Sequence, residues 1–392
     1  MDFRFSQEEE AFRQEVRGFL EKELPPNWVG PTTSWEQDAI DELWEFSQVM
    51  ARKLGEKGWL SITWPKEYGG LAGSYVQQAI FSEEIGYHRA VGIDPAGVRF
   101  LAPALIAFGS EEQKRRHLKP IAAGEVTWCE CFSEPEAGSD LASVQTRALP
   151  DGNGFIISGQ KVWSSAAHRS DWCFLLARTN DKVPKHKGLS FFLVDMKTPG
   201  ITVRPLLNIA GLYSFAEVFF DEVKVPRENL VGEENKGWYV TMSVLSFERA
   251  FIDHVGIARR MLDDLSKYAK ELYGNNKVPD IIRQRLAELK VEAEVARLFA
   301  YRVVLMQQRG VSTGTESAML RMFLTELRQR IANTGMELLG VYGQLGEGSK
   351  WIPLAGMTER HYLISFALTI AAGTSEIQRN IIATRGLGLP SG

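Results

Sequence analysis

The chain has 392 residues, 44% of them hydrophobic, with 45 basic and 49 acidic side chains and a formal charge of −4. Such a length and apolar content suffice for a sizeable core in two or three domains, and they exclude a disordered tail, a disulfide miniprotein and a collagen-like chain. No basic block is present to follow a phosphate backbone or an anionic membrane surface, so neither nucleic acid nor a membrane is expected as a partner.

Ser6 and Glu9 have the spacing of a capping box, and Phe12, Val16, Phe19 and Leu20 follow at helical intervals, which predicts that the chain begins as a helix. A second amphipathic run sets Ile40, Leu43, Trp44, Met50, Ala51 and Leu54 on one side and stops near Gly55 and Gly58, before a turn at 65–70. Helical periods continue to about Ala122. From Glu125 the pattern becomes short β-branched and aromatic runs, among them VTWCECF, GFIISGQKVW, DWCFLLART and AEVFFDEVKVP, punctuated by turn signals such as Asp151-Gly152-Asn153-Gly154. After Val231-Gly232 the helical period returns and holds, with breaks at 273–279, 310–314 and 343–348.

The expected fold is therefore mostly α with a central antiparallel β domain. An N-terminal helical domain covers 1–122, a barrel-like β domain 123–236, and a C-terminal four-helix bundle 237–392. Strands do not alternate with helices and no G-x-G-x-x-G follows a strand, so a Rossmann-type site has no support. Three cysteines are an odd count for a secreted disulfide framework, and the opening MDFRFSQEEE is acidic where a signal peptide would be basic and then apolar. A reducing, cytoplasmic setting is expected. The longest apolar stretch, Leu363 to Gly373, is roughly half of a membrane span.

Three local signals bear on chemistry. Cys131-Phe132-Ser133-Glu134-Pro135-Glu136-Ala137-Gly138-Ser139-Asp140 is a strand running into a loop whose hydroxyls and bare amides can meet a polar ligand; it also reads as an ordinary turn. Trp163 and Ser165 lie two residues apart on a strand and point the same way, offering an aromatic face and a hydroxyl, although Trp163 also reads as core. At Ala371-Ala372-Gly373-Thr374-Ser375-Glu376, Gly-Thr-Ser interrupts an apolar run and a helix can start with free amides, which suits an anion or oxyanion. The six histidines show no metal-ligand spacing and no Ser/His/Asp setting, so no metal is assigned. Cys129 and Cys131 alternate with Trp128 and Phe132 and read as packing residues.

These three elements, together with Trp64-Pro65-Lys66-Glu67-Tyr68-Gly69-Gly70, Gly109-Ser110-Glu111-Glu112-Gln113-Lys114 and Phe220-Asp221-Glu222-Val223-Lys224-Val225-Pro226, six motifs in order along the chain, resemble the acyl-CoA dehydrogenase family end to end. The resemblance implies FAD held among three domains, an assembly of four chains, and α,β-dehydrogenation of an acyl-CoA thioester in acyl-CoA degradation such as β-oxidation, with an electron-transfer flavoprotein as acceptor. It assigns Ser133 to the pyrimidine end of the flavin and Trp163 and Ser165 to its N5 side. Cys131, Lys270, Tyr273, Glu337, Gly340, Thr374 and Glu376 fall on further FAD-binding places. Ser139 falls on the CoA pyrophosphate region, and Arg249 and Arg99 on the substrate side.

Departures from the family pattern carry the functional argument. Most members have a glutamate immediately before Gly-Thr-Ser, where this chain has Ala372, and a tyrosine before that, where it has Ala371. Alanine cannot accept a proton. Glu248, in Leu245-Ser246-Phe247-Glu248-Arg249-Ala250, matches the place where the long-chain and isovaleryl branches carry theirs, and is expected to be the base, with its pKa raised by an apolar pocket. The backbone N–H of Ala372 survives the substitution and can polarise the thioester carbonyl. Lys270 stands for an arginine in the FAD grip, Glu337 for a glutamine and Val341 for a glycine, which weakens the expected contact from a second subunit. Pairing with a different subunit, as in heteromeric branches, and divergence with compensation both remain open. The paired alanines leave room for a branched or cyclic acyl group, and Arg99 beside Asp94 suggests a carboxylated one. The alternatives to a dehydrogenase are an acyl-CoA oxidase and a catalytically silent partner subunit.

Overall fold

The structure is a computed structural model that describes residues 4–247, 251–275, 277–346 and 348–390. In chain order it runs through α1 (Gln7–Glu23), α2 (Ser34–Gln37), α3 (Asp41–Glu56), α4 (Tyr75–His88), α5 (Ala102–Phe108) and α6 (Glu111–Ala122). The strands follow as β1 (Trp128–Cys131), β2 (Arg147–Asp151), β3 (Gly154–Ser165), β4 (Trp172–Arg178), β5 (Leu189–Asp195), β6 (Ile201–Leu206), β7 (Phe215–Pro226) and β8 (Leu230–Val231). Helices close the chain as α7 (Gly237–Phe247), α8 (Ile252–Tyr273), α9 (Asp280–Gln308), α10 (Gly314–Leu339), α11 (Met357–Leu368) and α12 (Ser375–Ile381). The described residues gather into two compact units, one from Met1–Thr32, Ser74–Ala90 and Arg249–Gly392, the other from Thr33–Gly73 and Val91–Glu248.

In the first unit α1 and α4 join the bundle of α8 to α11. The capping box at the head of α1 forms in full: Glu9 N–H donates to Ser6 Oγ at 3.2 Å and Ser6 N–H to Glu9 Oε2 at 2.8 Å. Val16 and Leu20 are then fully buried along one stripe, and each such side chain contributes roughly 2 kcal/mol. The helices α4 and α8 approach so closely that a Cβ on Gly86 would strike the Asp253 carbonyl and one on Gly256 the Glu83 carbonyl. Glu83, 1% exposed, accepts from Arg13, Arg259, Arg297 and the Tyr301 hydroxyl, which ties α1, α4, α8 and α9 to one carboxylate. Burial would push that carboxyl up, but the guanidiniums and the phenol hold it below the usual range.

In the second unit the sheet runs β6-β7-β3-β2-β4-β5-β8, with β1 added beside β4. Pairing is chiefly antiparallel. The expected pattern is modified at β4, which β1 meets in parallel with Cys129 opposite Cys173 and β2 in parallel at Arg147 opposite Arg178, because the β2–β3 hairpin intervenes before the chain returns. The core is built from the inward residues of these strands, Phe155, Ile157, Leu175, Phe192, Val218 and Val223, with Cys129, Cys131 and Cys173 fully buried among them. All three thiols are free. Capping by Ser110 places Gln113 on α6 so that its Nε2 donates to the Glu228 and Leu230 carbonyls at 2.7 and 2.8 Å, fastening the helix to the end of the sheet.

Candidate active site

In the sheet unit, β3 carries one extra residue against β7 between Lys161 and Ser164, and Trp163 occupies that bulge with φ +62°. The bulge turns Ser164 inward, 1% exposed, and holds the indole out, 63% exposed, with its edge toward Phe215 at 6.1 Å between centroids. Trp163 is thus not a core residue. Ser165 is half-buried beside it. The loop after β1 reaches the same place, since Val162 N–H donates to the Ser133 carbonyl at 2.9 Å. Cys131 is fully buried with Sγ 3.5 Å from Ser164 Oγ, so only its main chain can meet a ligand.

The loop is pinned from below by a pair that the motifs do not announce. Lys161, fully buried, donates from Nζ to Glu134 Oε1 at 2.8 Å and to the Phe132 carbonyl at 2.9 Å. Glu134 also accepts the Gln145 and Thr146 amides. Burial opposes charge on both partners, yet Lys161 and these donors hold the Glu134 carboxyl below its usual range. The sequence signal existed: Lys161 has the same strand parity as Phe155 and Ile157, whose side chains point into the core. Farther along the loop Ser139 is exposed, and Lys185 neutralises the neighbouring Asp140 at 2.6 Å. Arg99 is half-buried in a π-type turn, Ala96–Leu101. Asp94 is committed elsewhere, to the main-chain N–H groups of Ala96, Gly97 and Trp128.

In the helical unit the chain leaves α11 and turns through Ala371, Ala372 and Gly373 before Thr374 caps α12, its hydroxyl accepting from Ile377 N–H at 3.2 Å. Ala372 has φ +49° and Gly373 φ +92°. The carbonyls of this turn are all taken. Arg321 of α10 donates to those of Leu368, Ala371 and Gly373, and Gln378 Nε2 to those of Ala372 and Gly373. The Ala372 N–H, by contrast, meets no acceptor among the described residues, and Ala372 is exposed. The hydroxyl of buried Ser375 has no partner among the described residues, while Glu376 is exposed. Lys270 and Tyr273 lie exposed at the end of α8, and Glu337, Gly340 and Val341 exposed at the end of α10, with Val341 at 77%. Glu248 and Arg249 lie outside the described residues, between Phe247 at the end of α7 and Phe251 at the head of α8. Among the described residues no group of three or more His, Cys, Asp or Glu side chains is arranged to hold a metal. None of the described helices is long and apolar enough to cross a membrane.

Three family models cover nearly the whole chain: the acyl-CoA dehydrogenase N-terminal domain over 6–125, its middle domain over 129–223 and its C-terminal domain over 235–387. The chain belongs to the acyl-CoA dehydrogenase family. An acyl-CoA dehydrogenase of Mycobacterium tuberculosis, IpdE1, is 36% identical over 393 residues, covering 98% of both proteins. Among solved structures, the Tcur3481-Tcur3483 steroid ACAD superposes with a TM-score of 0.91 at 29% identity over 100% of each chain. The ChsE4-ChsE5 complex of M. tuberculosis does so with a TM-score of 0.89 at 30% identity, again over 100% of each. Both carry the names of two chains, and the second is named as a complex.

As an acyl-CoA dehydrogenase the protein is an oxidoreductase whose cofactor is FAD. The donor set of the sheet unit fits that group: an indole face held out of the core by a strained bulge, half-buried Ser165 two residues on, and the Ser133 loop bonded to the same strand through its main chain. Sequence reasoning missed Lys161, Glu134, Arg321 and Gln378.

Proposed function

We propose that this acyl-CoA dehydrogenase removes hydrogen across the α,β bond of a bulky, ring-bearing acyl-CoA, giving the 2-enoyl-CoA. In this reading Glu248 takes the α-proton and the Ala372 N–H polarises the thioester carbonyl. The observation that carries it is the turn at Ala372, where the carbonyls of Ala371, Ala372 and Gly373 are bonded and the exposed Ala372 N–H, unpaired among the described residues, is left to donate. An N–H aimed at a carbonyl oxygen stabilises the enolate-like charge that develops as the α-proton leaves. A methyl group at Ala372 cannot act as base, so the acceptor must come from elsewhere, and Glu248 is the carboxylate whose place in the sequence suits it.

The chemistry that bound FAD supplies is acceptance of a hydride equivalent from the β-carbon. Ser133, Trp163 and Ser165 would hold its ring system and Ser139 the CoA pyrophosphate region. Thr374 and Glu376 would be further cofactor contacts. Domain boundaries at 122/123 and 236/237 are part of the same proposal. The paired side chains of Ala371 and Ala372 leave space for a ring, a preference supported by the steroid substrate class named for one structural neighbour. Carboxylate recognition by Arg99 is the weaker specificity, since its half-buried side chain already has an interaction within the chain.

A second reading concerns assembly. Exposed Glu337 and Val341 stand where the family's second-subunit contact to FAD uses an amide and a glycine, which favours a different chain as partner, as in the two neighbours that carry the names of two chains. Native mass spectrometry of the chain alone and co-expressed with a homologue tests this. Anaerobic mixing with straight, branched, ring-bearing and dicarboxylyl thioesters tests the activity: ring-bearing thioesters should bleach the yellow protein fastest. Equal bleaching by straight chains only removes the substrate assignment, and fast reoxidation in air would make the protein an oxidase.

A further inference from the structure

The peptide unit that joins Ala371 to Ala372 has two ends with different fates. Its carbonyl oxygen accepts from the Arg321 guanidinium, and its N–H, the Ala372 N–H, is unpaired among the described residues. We propose that Arg321 is a positioning residue that fixes this peptide and strengthens its N–H as a donor to the thioester carbonyl. The inference rests on the reading that Ala372 N–H meets that carbonyl.

A hydrogen bond to an amide oxygen draws electron density toward that oxygen and makes the N–H of the same peptide more acidic as a donor. A charged donor does this more strongly than a neutral one, and a guanidinium keeps its charge at any working pH. Arg321 is 8% exposed, so its field is little screened by water. One fork reaches three carbonyls, those of Leu368 and Gly373 at 3.4 Å and that of Ala371, so the end of α11 and the turn are held together. The left-handed conformation of Ala372 costs about 1 kcal/mol and persists because surrounding bonds dictate it. The guanidinium carbon also lies 5.1 Å from the centroid of Phe251, three residues beyond Glu248, so the same cation touches the segment that follows the proposed base. Gln378 repeats the arrangement one peptide later with a neutral donor, bonding the Ala372 carbonyl at 3.4 Å.

The test uses the FAD-loaded protein, Arg321→Met and Arg321→Lys, each checked by its melting temperature. Bound cinnamoyl-CoA labelled with 13C at its carbonyl reports polarisation directly, as a downshift of the C=O stretch by isotope-edited infrared spectroscopy. The parent should show a downshift that shrinks in Arg321→Met and is partly restored in Arg321→Lys. With the best thioester, kcat should fall by about tenfold in Arg321→Met at a KM within about twofold, the pattern of a lost transition-state interaction. An unchanged carbonyl stretch, or a loss confined to KM, or equal losses in both variants with lowered melting, would make Arg321 a structural cap and overturn the proposal. Glu248→Gln should keep the parent's downshift while losing turnover, so failure of the base assignment shows separately from failure of the Arg321 role.

Discussion

Lys161 Nζ lies 2.8 Å from Glu134 Oε1 inside the sheet unit, with side-chain exposures of 0% and 7%. The pair does more than neutralise itself. Through the Phe132 carbonyl and the adjacent bond from Val162 N–H to the Ser133 carbonyl, it fixes the loop proposed to meet the flavin. Removing one partner strands a buried charge. Lys161→Met should therefore destabilise the protein by about 3–5 kcal/mol in urea unfolding. Adding Glu134→Gln to it should recover part of that loss, because the amide no longer demands a cation. A single variant within about 1 kcal/mol of the parent would show that the pair is not structural.

Trp163 is held in a left-handed conformation that disfavours any side chain. Trp163→Gly relieves that strain while adding chain entropy to the unfolded state, two effects of similar size and opposite sign. FAD-free protein should melt within a few degrees of the parent. FAD retention should fall by about tenfold or more with the loss of the aromatic face. A large drop in melting temperature with FAD retained would identify Trp163 as a packing residue.

Asp38 is buried, and burial pushes its carboxyl up to about 7 despite the Gln37 amide at 3.1 Å. It lines a cavity of about 30 Å3 with Asp94 and Trp128. A carboxyl whose folded pKa exceeds its unfolded value binds more protons folded than unfolded, so stability declines as pH rises from about 4 to about 7. The contribution is on the order of 4 kcal/mol across that window. Asp38→Asn, neutral at every pH, should reduce the slope of unfolding free energy against pH between these values, leaving the part due to Asp94, whose carboxyl burial also pushes up to about 7. An unchanged slope would place the titration elsewhere.

Much of this was legible in the sequence because it is local. The Ser6–Glu9 cap, the helical stripes and the two-residue alternation of the strands are set by neighbours a few positions apart, so pattern alone locates the helix–strand–helix order. The three motif loops were legible for the same reason. What sets their geometry was not. Arg321 reaches the Ala371 carbonyl across 50 positions, and the Glu83 cluster gathers residues 13, 259, 297 and 301 around one carboxylate. Spacing along the chain carries no trace of either. Trp163 shows the middle case: two-residue alternation puts it with Ser165, but the bulge that exposes it depends on register with β7.

On the proposed mechanism Glu248 takes the α-proton in place of the missing carboxylate at Ala372. The most direct test mixes the FAD-loaded parent and Glu248→Gln anaerobically with a ring-bearing acyl-CoA and follows the yellow absorbance. The parent should bleach, while Glu248→Gln should bind FAD and thioester yet keep its colour, slower by about a thousandfold or more. Bleaching of Glu248→Gln at the parent's rate would show that another group takes the α-proton.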